Sequence, residues 1–238
     1  MFRFIIAFLF VAVFLILSLP IQGLFFLLGK NPKWKHGIDM ASLHIVQWAF
    51  KGIELISGAK VTEYGRNNIP TDQPVLFVAN HQSFFDVILT YSRMTSLTGY
   101  ISKDEFAKVP LLPIWMKRLY CLFIDRDDIR QSLQIILTAV DYVKSGVSIF
   151  IFPEGTRSRD GQVHEFKKGS FKIAQKTGCP IIPVSIKGTA DVFENHFPLL
   201  RPHEVTVTYG KPIILSELSD EQRKHIGDHV RDIIVEEA

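Results

Sequence analysis

The chain is 238 residues long, which suits one domain with an appendage or two small domains. Its formal net charge of +3 is too small to indicate nucleic-acid binding, and no basic run is interleaved with the stacking aromatic residues of a nucleic-acid channel. The two cysteines, Cys121 and Cys179, exclude a disulfide framework and form no CxxC pair, which favours a reducing compartment.

An almost wholly apolar stretch, residues 4–28, opens a sequence that is 47% hydrophobic. As a helix it would extend for about 38 Å, which is enough to cross a bilayer. It is too long for a signal peptide, and no small-residue cleavage site follows it. Pro20 and Gly23 predict a kink or break. Two membrane interpretations follow, one spanning helix or a helix that enters and turns, and a buried core helix is the alternative.

Basic residues follow this stretch at once, at Lys30, Lys33 and Lys35 around Trp34. Lysines at a membrane edge favour the cytoplasmic side, so we expect the remaining chain to lie in the cytoplasm. Residues 38–56 then predict an amphipathic helix with one polar stripe. That helix would lie in the bilayer interface or pack on the globular domain, and the pattern does not decide between the two.

From residue 61 onward, short β-rich runs alternate with helical patterns. The predicted strands are 75–79, 98–102, 120–124, 147–152, 181–186 and 205–209, and the predicted helices are 84–94, 129–144, 169–177 and 220–236. This alternation predicts an α/β fold with a mostly parallel central sheet flanked by helices. We therefore expect membrane-anchoring helices over residues 1–58 and an α/β domain over residues 59–238.

A histidine follows the first predicted strand, in the segment Asn80-His81-Gln82-Ser83-Phe84-Phe85-Asp86. Ligands bind at the carboxyl edge of open α/β sheets, and imidazole is suited to proton abstraction near neutral pH. If Ser83 caps the next helix, Asp86 falls in its first turn and can meet His81, although the two are five positions apart. The alternative is that Ser83 and Asp86 only cap a helix and His81 is a loop residue.

A second charged turn, residues 153–158, follows the predicted strand 147–152 and presents Glu154, Gly155 and Arg157 at the same sheet edge. The guanidinium is a planar fork of donors that matches phosphate oxygens, and glycine lets the backbone approach a ligand. The alternative is a Pro/Gly turn with a solvated charge pair.

Further cations follow other predicted strands, at Lys103 and Arg126, and Lys167 and Lys168 precede a helix. Alone, each would be ordinary surface, but together with the histidine–carboxylate pair they predict a phosphorylated substrate and a proton-transfer step. The sequence contains no GxSxG elbow, no P-loop, no GxGxxG fingerprint and no HExxH or paired Cys/His zinc motif.

These segments, in this order, resemble the glycerolipid acyltransferases, specifically the bacterial 1-acyl-sn-glycerol-3-phosphate acyltransferases. Residues 80–86 are similar to that family's NHxxxxD block, and residues 152–158, FPEGTRS, match its FPEGTRS block in full. Residues 103–126 and 181–185 are similar to its second and fourth blocks. The resemblance covers roughly residues 60–215.

The resemblance implies transfer of a fatty acyl group from acyl-CoA or acyl carrier protein to the sn-2 hydroxyl of lysophosphatidic acid, giving phosphatidic acid in phospholipid biosynthesis. It implies an anchor at the cytoplasmic face of the cell's inner membrane, with the bilayer as partner, and no metal or cofactor. His81 would be the general base and Asp86 its partner. Lys103, Arg126, Glu154, Gly155, Thr156 and Arg157 would bind or shape the substrate pocket. The alternatives are an acyltransferase for glycerol-3-phosphate or for another lysolipid, or a catalytically silent lipid-binding membrane protein.

Overall fold

The computed structural model describes residues 1–237. The helices are α1 Phe2–Leu17, α2 Leu19–Leu28, α3 Pro32–Ser57, α4 Phe84–Tyr91, α5 Leu112–Arg118, α6 Ile129–Lys144, α7 Lys172–Thr177, α8 Thr189–Val192, α9 Asp220–Lys224 and α10 Ile226–Glu236. The strands are β1 Lys60–Tyr64, β2 Leu76–Ala79, β3 Thr98–Lys103, β4 Leu122–Ile124, β5 Ser148–Ile151, β6 Ile181–Lys187 and β7 Glu204–Tyr209.

The seven strands form one sheet in the order β1-β7-β6-β2-β5-β3-β4. All neighbours are parallel except β6 and β7, so the predicted mostly parallel α/β fold is confirmed. The antiparallel pair arises because the connection over residues 188–203 stays at the carboxyl edge of β6 instead of crossing back over the sheet. The sequence analysis did not predict β1, whose half-exposed, charge-interrupted residues alternate in burial.

Side chains alternate across the strands and create one core on each face of the sheet. Phe77 and Phe150 point to the face covered by α3, α4 and α5, whereas Leu76 and Ile149 point to the face covered by α6, α7 and α10. Strands that are buried on both faces have continuous apolar sequences, which is why β2, β5 and β6 could be predicted. Because helices cover both faces of the sheet, polar side chains can lie together only at the ends of the strands.

The apolar amino-terminal stretch forms two helices rather than one. Within residues 1–237, no single helix is both long and apolar enough to cross a bilayer, whereas α1 and α2 meet that criterion together as a pair bent by 41°. The polar residues at the bend are buried against α5. Trp115 Nε1 donates to Ser18 Oγ at 2.9 Å, and Arg118 Nε donates to Gln22 Oε1 at 2.8 Å. The predicted kink is therefore confirmed and has a tertiary cause as well as Pro20.

The predicted helix 38–56 is the longer α3, which begins earlier because Asn31 caps it and Pro32 occupies its first turn. Its residues Leu43, Val46 and Ile53 are buried against the sheet, so packing on the globular domain is the alternative that the structure shows. The division of the chain at residue 58 remains a prediction, because α3 shares its core with the α/β domain.

The helix expected over 169–177 begins later, at Lys172, after a 3-10 turn over Lys168–Phe171. Two further predicted helices differ from the observed ones in their limits. The helix expected over 84–94 ends at Tyr91, where the Arg93 guanidinium binds the Leu89 carbonyl and the Glu54 carboxylate. The helix expected over 220–236 is divided at His225 into α9 and α10. In both cases the helical pattern was identified correctly, but its limits depend on contacts outside the segment.

Candidate active site

The loop that carries His81 starts from a side-chain bridge between two strands. After β2 ends, Asn80 Nδ2 donates to the Ile186 carbonyl and the Ile186 N–H donates to Asn80 Oδ1, both at 2.8 Å. The amide group thus continues the hydrogen-bond ladder to β6 beyond the last strand residue. Asn80 is buried, so this pairing satisfies groups that would otherwise be costly and fixes where the loop leaves the sheet.

Asp86 holds the histidine through a capping arrangement at the start of α4. Ser83 is the N-cap residue, and its Oγ accepts from the Phe85 N–H at 2.9 Å. Asp86 Oδ2 accepts from the N–H groups of Gln82 and Ser83 at 2.7 and 2.8 Å and lies 2.7 Å from His81 Nδ1. The same carboxylate therefore caps the helix and binds the imidazole, so Ser83 and Asp86 do not only cap a helix, as the alternative had it.

The second oxygen of this carboxylate is also occupied, since Thr189 Oγ1 donates to Asp86 Oδ1 at 2.5 Å. Asp86 is fully buried, and an ionised carboxylate only accepts hydrogen bonds. His81 Nδ1 must therefore carry the hydrogen, which leaves Nε2 free to accept a proton. The ring lies against Phe152 with centroids 4.1 Å apart, which fixes its plane.

Glu154 is buried and binds the protein itself. Its Oε1 accepts from the His81 N–H at 2.8 Å, and its Oε2 accepts from Ser158 Oγ and, at 3.0 Å, from the His164 N–H. This carboxylate therefore ties the turn after β5 to the loop after β2. The arrangement is consistent with a role in shaping the pocket, and that role remains a prediction.

The turn itself needs Gly155, which has φ +80°, a left-handed conformation. A Cβ on this residue would lie 2.9 Å from Lys167 Nζ, so the lysine ammonium sits directly against the turn. Thr156 is exposed, and its predicted part in substrate binding remains a prediction.

Arg157 lies beside the amino end of α4. Its guanidinium carbon is 3.9 Å from the Phe84 ring centroid, and its Nη1 is 2.9 Å from Glu194 Oε1. The same Glu194 oxygen accepts from the Phe84 N–H at 2.8 Å. The predicted cation is thus placed next to the His81–Asp86 pair, with a carboxylate that the sequence analysis did not identify.

Lys103 and Arg126 lie further along the sheet edge. At about 4.8 Å per strand, β3 and β4 are about 10 and 14 Å from β2. Lys103 forms an ion pair with Glu105. Burial lowers the pKa of Arg126, and the nearby Glu105 carboxylate acts in the opposite direction. The Phe106 ring beside this group contacts the Phe84 ring that Arg157 covers, with centroids 6.1 Å apart. The cations therefore form two groups, with Arg157 beside the start of α4 and with Lys103 and Arg126 at the ends of β3 and β4.

An apolar cavity of about 290 Å³ opens beside α4, between that helix and α1, α3 and α5. Its lining includes Phe84, Ile88, Tyr100 and Trp115. Because Phe84 borders both this cavity and the Arg157 guanidinium, an amphiphile with an apolar chain and an anionic head would match the two surfaces.

The site holds no cysteine beside His81. Burial raises the pKa of the Cys121 thiol to about 11 and also raises the pKa of Cys179. Both thiols are therefore protonated near neutral pH and poor nucleophiles. We expect Cys121→Ser and Cys179→Ala to keep turnover close to that of the parent protein, as measured by acyl-transfer assays. An acyl group trapped on either sulfur, by mass spectrometry of the quenched reaction, would contradict a reaction in which the acyl group passes to the acceptor without a covalent enzyme intermediate.

A histidine oriented by a buried carboxylate, next to an arginine and an apolar cavity, defines a site that can deprotonate a hydroxyl on an anionic amphiphile. The chain belongs to the acyltransferase family, because the family model described as Acyltransferase matches residues 60–187. That match covers β1 to β6 and includes every predicted site residue.

Named relatives place the chain more closely. It is 34% identical over 190 residues to the chloroplastic 1-acyl-sn-glycerol-3-phosphate acyltransferase BAT2 of Brassica napus, an alignment covering 78% of this chain and 55% of the relative. It is 32% identical over 192 residues to a probable 1-acyl-sn-glycerol-3-phosphate acyltransferase of Mycoplasma genitalium, covering 75% of this chain and 70% of the relative. The chain spans about half the length of the plant and algal relatives it matches.

Among solved structures, the chain is similar to the crystal structure of the 1-acyl-sn-glycerophosphate acyltransferase PlsC of Thermotoga maritima. The TM-score is 0.74 at 28% sequence identity, and the match covers 98% of this chain and 97% of that chain. The amino-terminal helices are therefore part of the shared fold.

Proposed function

We propose that this protein transfers a fatty acyl group from an acyl thioester to the sn-2 hydroxyl of 1-acyl-sn-glycerol-3-phosphate, giving phosphatidic acid. The observation that supports this most directly is the contact between His81 Nδ1 and the buried Asp86 carboxylate, within reach of the same helix end as Arg157. The relatives named for this activity support the choice of acceptor.

In the proposed reaction, His81 Nε2 removes the proton from the acceptor hydroxyl. The alkoxide oxygen attacks the thioester carbonyl carbon and forms a tetrahedral intermediate. The carbon–sulfur bond then breaks, and the leaving thiolate takes the proton back from the imidazolium. Asp86 stabilises that imidazolium through its 2.7 Å contact with Nδ1, as a carboxylate does in other histidine-based sites.

The two substrate ends have separate places in this proposal. An acyl chain enters the apolar cavity beside α4, where it is removed from water. The acceptor's phosphate binds Arg157 at the amino end of α4, where the Phe84 N–H and the helix dipole also favour an anion. Lys103 and Arg126 are the second group of cations, placed for a phosphate on the acceptor or on an acyl-CoA or acyl carrier protein donor.

We also propose that α1 and α2 lie in the cytoplasmic face of the inner membrane as an interfacial pair. Their outward side chains are large and apolar, with Phe8 65%, Leu17 70% and Phe26 65% exposed. Their other sides pack on α3 and α5, and Lys30 and Lys33 follow them. Such a helix pair buries one apolar face in the bilayer and keeps the catalytic edge near its lipid substrate.

Charging that outward face should release the protein from membranes. We expect the triple substitution Phe8→Glu, Leu17→Glu and Phe26→Glu to move most of the protein from the vesicle pellet to the supernatant in a sedimentation assay. In the membrane-bound protein, each of these glutamates would place an uncompensated charge in the bilayer interface. Deleting residues 1–28 is a less clean test, because α1 also covers the apolar surface of α3.

The matched control places three glutamates on the opposite helical layer, at the exposed residues Gln134, Gln175 and Val235. It changes the formal charge by the same −3 and should leave sedimentation unchanged. Equal release by both triple variants would mean that net charge, and not the α1–α2 face, governs membrane binding.

The proposed function is tested by assaying the purified full-length protein with acyl-CoA and acyl carrier protein donors against several acceptors. We expect 1-acyl-sn-glycerol-3-phosphate to be acylated faster than glycerol-3-phosphate or lysolipids without a phosphomonoester. Preferred acylation of glycerol-3-phosphate or of a neutral lysolipid would reassign the acceptor. Lipid binding with no transfer to any acceptor would favour the silent lipid-binding alternative.

A further inference from the structure

Glu194 occupies the place where an anion would meet Arg157. Its Oε1 accepts from Arg157 Nη1 at 2.9 Å and from the Phe84 N–H, the first of α4, at 2.8 Å. Its Oε2 is buried and has no hydrogen-bond partner within residues 1–237. A carboxylate bound by a guanidinium and a helix N–H, with one oxygen unpaired, has the contacts of a bound anion rather than of a fully satisfied structural residue.

The segment that carries Glu194 joins α8 to β7 over the carboxyl edge of the sheet. Glu194 begins a short 3-10 turn, Glu194–His196, and follows Phe193, whose backbone connects it to α8. Two residues of the connection between β6 and β7 contact the two functional groups, since Thr189 binds Asp86 and Glu194 binds Arg157. The Glu194 side chain is 20% exposed, so one of its sides faces solvent and the carboxylate can move in that direction.

A phosphomonoester would compete with Glu194 for the same donors. It carries about −1.5 to −2 charge near neutral pH and has three acceptor oxygens, whereas the carboxylate carries a single charge. Arg157 can form two parallel bonds to such a group but forms one bond to Glu194. A neutral head group or a phosphodiester, with less charge, would displace the carboxylate less readily.

We infer that Glu194 occupies the acceptor's phosphate site in the unliganded protein and that, among anionic head groups, it favours phosphomonoesters, because a dianion displaces it more readily than a monoanion does. The inference rests on the proposed function, in which Arg157 binds that phosphate. Glu194 is therefore a specificity-determining residue for anionic head groups, and the closed Arg157–Glu194 pair lowers the apparent affinity for every acceptor that binds Arg157 by the fraction of open protein.

The experiment measures binding of sn-glycerol 3-phosphate, a soluble phosphomonoester, to the full-length protein by titration calorimetry without an acyl donor. Glu194→Gln keeps the shape and an oxygen for the Phe84 N–H but removes the competing charge. We expect its dissociation constant to fall on the order of tenfold. In turnover assays, the KM for 1-acyl-sn-glycerol-3-phosphate should fall while kcat changes little, and the reaction with monoacylglycerol should not respond.

Two controls isolate the contact. Asp191→Asn removes a charge from the same segment, but Asp191 pairs with Asn195 and His203 and not with Arg157, so binding should not tighten. Glu194→Gln added to Arg157→Ala should have a much smaller effect than in the parent protein, because only the Phe84 N–H remains as a shared donor. Glu194→Ala should tighten binding as Glu194→Gln does.

Unchanged or weaker binding in both Glu194 variants would overturn the inference, because it would mean that Glu194 only positions Arg157. Failure of the proposed function would give a different result. A protein that binds glycerol 3-phosphate more tightly after Glu194→Gln, yet acylates no lysophosphatidic acid, would retain the phosphomonoester selection and lose the proposed acceptor reaction.

Discussion

His81→Ala should lower kcat by about 10²–10⁴-fold, the usual contribution of a positioned general base. The structure explains this loss, since Asp86 fixes the hydrogen on His81 Nδ1. Of the two ring nitrogens, Nε2 is therefore the one that can accept a proton. The protein should stay folded, because Asp86 keeps its bonds to the Gln82 and Ser83 N–H groups when the ring is removed. The measurement is initial acyl-transfer rate at saturating substrates, with thermal unfolding recorded in parallel.

His225→Ala is the matched control, because His225 is a half-exposed histidine beside α10, on the opposite helical layer. It should keep the parent turnover. A His81→Ala protein that transfers acyl groups at the parent rate would rule out the proposed base.

Asp86→Asn should reduce turnover less than His81→Ala does. The asparagine oxygen has to face the two backbone N–H groups of Gln82 and Ser83, so it continues to accept from His81 Nδ1, and its NH₂ group faces Thr189 Oγ1, which can accept. The tautomer is therefore kept, and what is lost is the negative charge that stabilises the imidazolium. A folded Asp86→Asn protein as inactive as His81→Ala would show that the charge, and not the orientation, supplies most of the effect.

The second large effect concerns the acceptor phosphate. Arg157→Ala should raise the KM for 1-acyl-sn-glycerol-3-phosphate by about 10- to 150-fold, because a hydrogen bond to a charged group contributes about 1.5–3 kcal/mol. The KM for the acyl donor should change much less. Arg157→Lys should restore only part of the loss, since an ammonium cannot form two parallel bonds and does not cover the Phe84 ring as a planar guanidinium does.

The decisive measurement is a cycle that removes the protein arginine and the substrate phosphate separately and together. Monoacylglycerol should be a poor acceptor for the parent protein and should be affected little further by Arg157→Ala. Additive losses would mean that Arg157 does not bind the phosphate and would reopen the acceptor assignment in favour of a neutral lysolipid. The same cycle with Arg126→Ala and Lys103→Ala shows whether the second group of cations binds this phosphate or one on the donor.

Much of the site could be predicted because its chemistry is local in sequence. Ser83 and Asp86 are three residues apart, and a serine followed by an acidic residue at that spacing predicts a helix start. That helix start places Asp86 in the first turn of α4, within reach of His81, and it depends on residues that are close together in the sequence. The strand–turn pattern around Glu154 and Arg157 is equally local, and parallel strands bring both turns to one sheet edge.

The partners of these residues could not be predicted, because they lie far away in the chain. Thr189 is 103 residues from Asp86, Ile186 is 106 from Asn80, and Glu194 is 110 from Phe84. No periodicity or turn signal relates residues at such separations, since only the order of β2 and β6 in the sheet brings them together. Glu154 shows the same limit, since its carboxylate binds the protein, which its place in the FPEGTRS segment does not reveal.

The amino-terminal stretch shows which features follow from the sequence and which depend on the tertiary structure. Its composition determined that residues 4–28 are helical and apolar, and that Ser18, Pro20 and Gln22 interrupt the run. Pro20 and Gly23 also predicted a break there, but only the tertiary structure decided where its polar groups lie, because Ser18 and Gln22 find hydrogen-bond partners on α5 and are buried instead of facing lipid or water. Side-chain character is a property of the sequence, but the surface on which a polar group is satisfied depends on elements that are distant in the chain and are brought near by folding.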